Sequence, residues 1–261
     1  MHGLGQFVLF NVLMCLGQSI MHGEIAPDNS MLYMVSVQNF WDQHVCGGFL
    51  ISEDFVVTAA HCYKDKPYRV LLGSQNLQSE NIMTMKIERM YTFPAYQSPG
   101  LGDDLMLLKL SGKAPLGNRL KAIPLRSPKT KLRENQICSV AGWGGTGKDR
   151  FVNDLRVVNV SIINPKLCQA IWGENFPSKV ICAGGYGTNK GFCQGDSGCP
   201  LVCDGIAVGV VSFNKHSNCN YPDVPNVYTD ISKYVPWIDT IPGTKRCVQT
   251  CSRSSFPSGS A

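Results

Sequence analysis

The stretch that organises this chain is Gly191-Phe192-Cys193-Gln194-Gly195-Asp196-Ser197-Gly198-Cys199-Pro200. Ser197 lies there among glycines and beside an acidic residue, a context that lets backbone N–H groups face its hydroxyl. A serine hydroxyl is a weak nucleophile near neutral pH, so it needs a base that removes its proton and donors that hold the oxyanion formed on attack. The N–H groups of Gly195 and Ser197 are the candidate donors. Taken alone, such a run is typical of a surface turn, so its interpretation depends on partners elsewhere in the chain.

Two further motifs lie upstream of this loop. Thr58-Ala59-Ala60-His61-Cys62 contains a histidine beside a cysteine, and Asp104 directly precedes the apolar run 105–110. Each alone has a plain structural explanation, as a core histidine beside a disulfide or as a strand boundary. Together, in the order His, Asp, Ser, they resemble the motifs of the chymotrypsin/trypsin-like serine proteases, in which the histidine acts as base and the aspartate orients it. The Ser-Asp-His order of α/β-hydrolases is not followed, and Cys199 breaks their G-x-S-x-G elbow.

Asp103 competes with Asp104 for the carboxylate role. The resemblance implies an acid directly before the apolar strand, which selects Asp104. We therefore expect Asp103 to be solvated.

The resemblance also implies the fold and the domain organisation. It predicts an all-β chain of two six-stranded antiparallel Greek-key barrels, trypsin-like, closed by a C-terminal helix, and 261 residues suffice for such a double barrel. The expected domains are a signal peptide with or without a short propeptide at 1–19, a protease domain at 20–241 and a flexible Cys-containing tail at 242–261. The two barrels are expected at about 20–125 and 126–241. The basic segment 121–134 between them is interpreted as a solvated linker rather than a site for polyanions.

The N-terminal segment suggests secretion. The apolar run from Phe7 to Leu16 is too short to span a bilayer and is typical of a secretory signal peptide, although it lacks a basic start. Ile20 resembles the new N-terminus of granzymes and mast-cell proteases, whose freed α-amino group inserts beside the acid preceding the nucleophile, here Asp196. A buried carboxylate needs a cation, which makes that pairing an activation step. Alternatively Ile20 merely follows a signal cleavage site after Gly17 or Ser19.

Twelve cysteines indicate an oxidising compartment. The resemblance implies four disulfides, namely Cys46–Cys62, Cys138–Cys203, Cys168–Cys182 and Cys193–Cys219. Without Cys15 of the signal segment, Cys199, Cys247 and Cys251 remain, so one thiol is unpaired or bonded to another chain. A Cys-x-x-x-Cys pair is weak evidence for a metal, and we expect neither metal nor cofactor.

Cys199 is the main departure from the family pattern, which has glycine there. Two outcomes are open: the backbone tolerates the side chain and activity survives, or the oxyanion loop shifts. In the second case the chain is an impaired homologue that acts as a binding protein.

The candidate substrate pocket lacks the carboxylate that selects lysine or arginine. The family's floor position is Gly191 here, so trypsin-like cleavage is not expected, and a medium apolar residue or aspartate before the scissile bond remain as alternatives. The lining positions implied by the resemblance are Gly191, Phe192, Ser212, Phe213, Asn214 and Asn226.

Composition limits the partners. The net charge of +5 is spread along the chain, which favours weak attraction to anionic proteoglycans, and no aromatic-interleaved basic motif indicates nucleic acid. Protein or peptide substrates and serpin-type inhibitors are the other expected partners. No segment after the signal region is a membrane span. The triplet beginning at Asn159 is a glycosylation acceptor pattern.

Overall fold

Strands dominate the computed structural model, which describes residues 20, 22–145, 151–215, 219 and 223–247. The signal segment and Cys251 lie outside the described residues. The first-half strands are β1 (Glu24–Ile25), β2 (Met34–Gln38), β3 (His44–Leu50), β4 (Phe55–Thr58), β5 (Arg69–Leu72), β6 (Met83–Thr92) and β7 (Met106–Leu110). The second-half strands are β8 (Ile137–Gly144), β9 (Phe151–Ser161), β10 (Val180–Cys182), β11 (Pro200–Cys203), β12 (Ile206–Phe213) and β13 (Val227–Asp230).

Helices are few and short. The α-helices are α1 (Pro165–Trp172) and α2 (Val235–Ile238), and 3-10 turns cover Ala60–Asp65, Pro99–Leu101 and Ile231–Lys233. Among the described residues, no helix is both long and apolar enough to cross a membrane.

The first half forms a closed barrel of six antiparallel strands in the order β2-β3-β4-β7-β6-β5. Its interior is apolar because short runs of β-branched and aromatic residues pack inward. Val35, Val37, Phe49, Phe55 and Leu107 have no exposed surface there. This core anchors the two segments that carry His61 and Asp104, one after β4 and one before β7.

The second half is a sheet of order β1-β9-β8-β11-β12-β13-β10. An antiparallel bridge between Ile162, just after β9, and Ala183, just after β10, brings the far edge of the sheet back to β9. The short β1 pairs with β9 from outside this ring of six strands. The predicted all-β fold of two antiparallel barrels is thus confirmed.

The segment between the halves is not uniformly solvated. Arg126 is buried, with Nη1 at 3.0 Å from Asp230 Oδ1 and Nε donating to the Thr130 carbonyl at 2.9 Å. The expectation of a solvated linker is therefore wrong for Arg126, since a buried guanidinium requires a paired carboxylate. Lys121 and Lys129 are exposed as expected.

The chain end returns to the first barrel. The C-terminal helix is split into the 3-10 turn at 231–233 and α2, with Pro236 in the first turn of α2. Tyr234 and Ile238 are fully buried in the first core, and the Tyr234 ring meets Phe93 edge to face at 4.9 Å. The described part of the tail also packs there: Cys247 is 6% exposed and its N–H donates to the Ile51 carbonyl at 2.7 Å. Residues 242–247 thus differ from the flexible tail that we expected.

Four disulfides are present, with the pairs implied by the resemblance: Cys46–Cys62, Cys138–Cys203, Cys168–Cys182 and Cys193–Cys219. The first ties the His61 segment to β3, and the fourth ties the Ser197 loop to the segment after β12.

Candidate active site

His61 and Asp104 meet at the edge of the first barrel. β4 ends at Thr58, and the 3-10 turn that follows presents His61. Its Nδ1 lies 2.7 Å from Asp104 Oδ2, and its backbone N–H donates to Oδ1 at 2.9 Å. The two-point attachment orients the ring and leaves Nε2 as the reactive nitrogen.

The second half completes the surroundings of Asp104, which has no exposed surface. Ser212 Oγ donates to Oδ2 at 2.5 Å, and Thr229 Oγ1 donates to the Asp104 backbone carbonyl at 3.0 Å. A buried carboxylate is costly unless it accepts hydrogen bonds, and this one accepts three. Asp104 is thereby held as an acceptor for the His61 ring.

The Ser197 loop lies between the two halves. The Ser197 carbonyl accepts from the Gly47 N–H of β3 at 2.8 Å, and the Gly198 N–H donates to the Val211 carbonyl of β12 at 3.0 Å. Gly198 has φ of +85°, and a Cβ there would overlap Thr58 Oγ1, which brings this loop against the segment that leads to His61. Ser197 itself is half-buried. Among the described residues no hydrogen bond joins Ser197 Oγ to His61, and such catalytic contacts commonly tighten only with substrate bound.

His44, which no motif of the sequence singled out, contacts the loop that carries the candidate oxyanion donors. Its Nε2 lies 2.9 Å from the Gly195 carbonyl oxygen, and its Nδ1 lies 2.8 Å from Ser36 Oγ. Burial lowers the pKa of His44 to about 4, so the ring is neutral near pH 7. Because a carbonyl only accepts, Nε2 carries the proton and the Ser36 hydroxyl donates to Nδ1. The peptide at Gly195, whose φ is +94°, is thus held in place from the first barrel.

Asp196 is fully buried behind the loop. It accepts the N–H of Gly144 and the N–H of Cys193, both at 2.8 Å, yet burial still raises its pKa to about 7. Within the described part of the chain, no lysine, arginine or histidine forms an ion pair with it. Ile20, also fully buried, belongs to the same core as Trp143, the residue just before Gly144. The site therefore contains a fully buried carboxylate that two backbone N–H groups hold and whose ionisation near neutral pH is opposed by burial.

Cys199 is fully buried at the end of this loop. Its Sγ occupies space left by the missing side chains of Gly47 and Gly142, since a Cβ at either position would contact it too closely. Its N–H donates to the Asp196 carbonyl at 3.0 Å and its carbonyl accepts from Val211 at 2.8 Å. Its φ is not positive, so no glycine is required at this position. Burial first, and then the charge of Asp196, raise the pKa of its thiol well above the ordinary value, so the thiol stays protonated.

The predicted pocket residues include two packed aromatic rings and a buried amide. Phe192 is 3% exposed and meets the Tyr228 ring edge to face at 5.2 Å. Phe213 packs against Trp172 at 5.2 Å. Asn226 is fully buried, and neither its Nδ2 nor its Oδ1 has a hydrogen-bond partner among the described residues.

The other predicted pocket residues are buried or partly buried. Gly191 is buried, Ser212 is 7% exposed and committed to Asp104, and Asn214 is half-buried at the end of β12. Trp172, on α1, was missed by the sequence analysis because it lies about forty residues from Phe213 in the chain.

The expectation for Asp103 is wrong. Its side chain is 19% exposed and accepts from Lys179 Nζ and from Tyr234 OH, both at 2.9 Å. Its φ of +57° turns the chain so that Asp104 enters the site while Asp103 points to these partners. Asp103 thus braces the turn rather than lying in solvent.

The cluster of Cys46, Cys62 and His61 has metal-like spacing. Its two sulfur atoms form a disulfide, which removes them as ligands.

Known proteins are similar to this chain over most of its length. The family model described as Trypsin matches residues 20–238. Granzyme-like protein 2 of Rattus norvegicus is 35% identical over 226 residues, covering 85% of this chain and 89% of that protein. Cathepsin G of Homo sapiens is 35% identical over 225 residues, covering 85% and 86%. Mast cell protease 3 of Ovis aries is 36% identical over 242 residues, covering 88% and 94%.

A solved structure is similar as well. Neuropsin, described as a serine protease expressed in the limbic system of mouse brain, superposes with a TM-score of 0.77 at 32% identity. The match covers 84% of this chain and 97% of that chain.

Proposed function

This chain belongs to the trypsin family of serine proteases and is a serine endopeptidase, and from that premise we propose that Ser197, His61 and Asp104 carry out its reaction. In the proposed mechanism Ser197 Oγ attacks the substrate carbonyl carbon, and its proton passes to His61 Nε2. Asp104 holds the opposite side of the ring and stabilises the imidazolium that forms.

The N–H groups of Gly195 and Ser197 stabilise the oxyanion. As the carbon–nitrogen bond breaks, His61 returns the proton to the leaving amine, and an acyl ester remains on Ser197. Water then repeats the sequence and releases the acid. The same two donors serve both steps. His44 donates to the Gly195 carbonyl and so anchors the loop that carries both donors to the first barrel, which supports the proposal.

One observation carries this proposal most directly. A fully buried carboxylate, Asp104, accepts from His61 Nδ1 at 2.7 Å, with Ser212 as a further donor. Burying a charge in this way has no benefit for the barrel alone, since an apolar side chain would cost less.

A fluorophosphonate probe tests the proposal. We expect the matured protein to be labelled at Ser197, and Ser197→Ala to abolish labelling without changing the fold. Absence of labelling in matured, folded protein would instead favour the non-catalytic binding homologue. The fit of Cys199 between Gly47 and Gly142 supports the active form.

Maturation is the second part of the proposal. We propose that cleavage before Ile20 frees an α-amino group, mostly charged at neutral pH, which pairs with Asp196 and orders the loop. The buried Asp196 without a cationic partner among the described residues is what supports this step.

For the residue before the scissile bond, we propose an uncharged side chain of medium size. Gly191 offers no carboxylate to a basic side chain. Asn226 is neutral, so it provides no counter-charge for an aspartate entering the pocket. Peptide libraries should yield cleavage after apolar or amide residues, and a preference for Lys, Arg or Asp would contradict this specificity.

Secretion or storage in granules, contact with serpin-type inhibitors or anionic proteoglycans, and glycosylation at Asn159 belong to the same proposal. Asn159 is exposed on β9, as a glycan requires. Removal of N-glycans from secreted protein, followed by mass spectrometry of this peptide, tests the last point.

A further inference from the structure

The turn that brings Asp104 to the site has an uncommon backbone. Gly102 and Asp103 both have positive φ, +83° and +57°. L-residues seldom adopt such a conformation, although aspartate tolerates it better than most. The N–H of Leu105 donates to the Asp103 carbonyl at 2.9 Å, which closes the turn around Asp104. Because a conformation of this kind persists only where its surroundings hold it, the contacts of this turn decide where Asp104 points.

Several of those contacts come from the other half of the molecule. Lys179 immediately precedes β10, and its Nζ lies 2.9 Å from Asp103 Oδ1. Two residues earlier, Pro177 lies so close to the turn that a Cβ on Gly102 would be 3.0 Å from the Pro177 Cβ. The Lys179 carbonyl accepts from the Asp230 N–H at 3.0 Å, so β13 holds the backbone of Lys179 in place. The second half therefore contacts both residues of the turn that have positive φ.

Neighbouring positions of β10 and β13 act on the same turn. Val180, the first residue of β10, pairs with Thr229 of β13. Thr229 Oγ1 donates to the Asp104 carbonyl at 3.0 Å, whereas Lys179, one residue before the paired position, binds Asp103. One strand thus holds the backbone of the acid directly, and the start of the neighbouring strand holds the residue before it.

Two aromatic rings confine the Lys179 ammonium group. Its Nζ lies 5.5 Å from the centre of the Phe93 ring and 5.6 Å from that of the Tyr234 ring, distances at which a cation is attracted to an aromatic ring. Tyr234 OH also donates to Asp103 Oδ1 at 2.9 Å. The N–H of Phe93 donates to the Leu105 carbonyl at 3.0 Å, so this ring is attached to the same turn. The carboxylate and the two rings together give the ammonium group one defined position.

The ion pair of Lys179 contributes little to stability. The Lys179 side chain is 46% exposed, and a pair so accessible to water adds little to the free energy of unfolding. Within the described part of the chain, no second lysine or arginine forms an ion pair with Asp103. The contribution of Lys179 is therefore to geometry, since it selects one orientation of the Asp103 carboxylate and of the turn that carries it.

We propose that Lys179 is a positioning residue for the reaction: it reaches from the second half to Asp103 and thereby holds Asp104 toward His61. This inference rests on the proposed function. Lys179 acts through the turn, because Asp104 directly follows the residue that Lys179 binds. Without the ammonium group, the Asp103 carboxylate reorients toward water, the turn relaxes, and the Asp104 carboxylate moves relative to His61 Nδ1. Small displacements of a catalytic group cost large factors in rate.

The kinetics of Lys179→Met, matured to a mass-verified Ile20 N-terminus, test this inference. The substrate is the thiobenzyl ester of N-blocked methionine, which has a single residue before the scissile bond. We expect kcat to fall about tenfold and KM to stay within about twofold of wild type, because the change disturbs the orientation of Asp104 and leaves the substrate pocket intact. Lys179→Arg keeps a cation for Asp103 and for the two rings, so its kcat should stay within about twofold of wild type.

Lys113→Met is the matched control for the loss of an exposed lysine. Lys113 pairs with Glu53 at 2.9 Å, the same distance as in the Lys179 pair. Lys113→Met should leave kcat unchanged. In both methionine variants the midpoint of urea unfolding should move by less than about 0.5 M, so that a lower kcat in Lys179→Met does not reflect a loss of folded protein.

A change at Asp103 shows whether Lys179 acts through this residue. Asp103→Asn removes the carboxylate but keeps an oxygen that accepts from Tyr234 OH, and asparagine tolerates positive φ. In the Asp103→Asn background, Lys179→Met should therefore change kcat by less than about twofold.

Proton NMR measures the placement of the acid itself. The proton between His61 Nδ1 and Asp104 Oδ2, which lie 2.7 Å apart, resonates far downfield of other protein protons. We expect this resonance to shift in Lys179→Met and to keep its wild-type position in Lys179→Arg and Lys113→Met. A purely structural role of Lys179 would change neither the resonance nor kcat in folded protein.

An unchanged kcat and resonance in Lys179→Met, or a loss of kcat that persists in full in the Asp103→Asn background, would overturn the inference. Fluorophosphonate labelling separates these results from failure of the proposed function. Labelled wild-type protein with either result rejects the positioning role alone. Unlabelled wild-type protein rejects the catalytic assignment, and the positioning role with it.

Discussion

Cys199 shows how one side chain is accommodated next to a reactive loop. Its sulfur fills a volume bounded by two glycines from different halves of the molecule, Gly47 and Gly142. The backbone bonds of Cys199, to Asp196 and Val211, are those that hold the loop. The side chain therefore contributes packing, and the backbone contributes the positioning.

Replacement of Cys199 by alanine tests this division. We expect Cys199→Ala to reduce the free energy of unfolding by about 1 kcal/mol through the lost sulfur contacts, and to leave kcat/KM within about threefold of wild type. Urea unfolding and peptide hydrolysis measure the two effects. A hundredfold loss of activity in a folded variant would assign Cys199 a direct part in the site.

The thiol should also be inert in the folded protein. Because burial keeps it protonated and covered, iodoacetamide is expected to leave Cys199 unmodified in native protein and to modify it in urea. Modification in native protein at the same rate as in urea would contradict the buried placement.

At the scale of elements, Ile20 before β1 and the end of β8 belong to the core beside the Ser197 loop. Ile20 is buried in the second core, and the β8 end at Gly144 contacts Asp196. Gly142 and Gly144 give the carboxylate its space, since a Cβ at either would overlap it. In the proposed maturation step, the amino group of Ile20 supplies the cation that pairs with Asp196.

A one-residue extension before Ile20 tests that coupling. With a glycine added, the Ile20 nitrogen is an uncharged amide, Asp196 keeps no cation, and we expect kcat/KM to fall at least about a hundredfold through loss of an ordered oxyanion donor. The control is Ile20→Val with a free, mass-verified N-terminus, which should stay active. An extended protein as active as the control would remove the activation step from the proposal.

At the scale of the molecule, the proposed site exists only where the halves meet. His61 and Asp104 come from the first barrel, Ser197 and Ser212 from the second, and His44 bonds across the boundary to Gly195. Stability of this boundary and competence of the site should therefore change together.

The titration of His44 provides a pH test. The pKa of His44 is about 4 in the folded chain, against 6.5 for an ordinary histidine in the unfolded chain. Between these pH values the unfolded state therefore binds more protons than the folded state. The contribution of His44 to the free energy of unfolding is thus lost as the pH falls from about 6.5 toward about 4. Asp196 acts in the opposite sense, because burial raises its pKa from 3.8 to about 7 in the folded chain. Its contribution to the free energy of unfolding is lost as the pH rises from about 4 toward about 7.

The variant His44→Gln isolates the histidine from Asp196. Between pH 7.5 and pH 5, wild-type protein should lose about 2 kcal/mol more unfolding free energy than His44→Gln. His22→Asn, at an exposed position, should follow wild type in urea unfolding at both pH values. Parallel pH profiles for wild type and His44→Gln would mean that His44 is not buried as a neutral base.

A second test of the whole molecule concerns Arg126. Arg126→Met leaves Asp230 buried without its guanidinium, and we expect a loss of about 3 kcal/mol in unfolding free energy. Lys129→Met, an exposed cation of the same segment, should change it by less than about 0.5 kcal/mol. Equal effects of the two variants would show that the Arg126–Asp230 pair contributes nothing specific.

Much of this molecule was predictable from local sequence. The apolar run 105–110 was predicted as a strand, and β7 formed there; the all-β double barrel and the serine protease family were predicted and are confirmed. The assignment of Ser197, His61 and Asp104 to catalysis stays a prediction that the contacts support. These inferences succeed because short motifs and strand periodicity are properties of neighbouring residues.

The sequence by itself, through its resemblance to the trypsin-like proteases, thus determined the class of fold and indicated which side chains to assign to catalysis. Only the tertiary structure decided that Arg126 is buried, that Asp103 binds Lys179 and Tyr234, and that His44 holds Gly195. It alone gave Cys199 its space between Gly47 and Gly142. Each of these depends on partners tens to more than a hundred residues away, and burial and pairing across such distances arise from packing of the whole chain rather than from any local pattern.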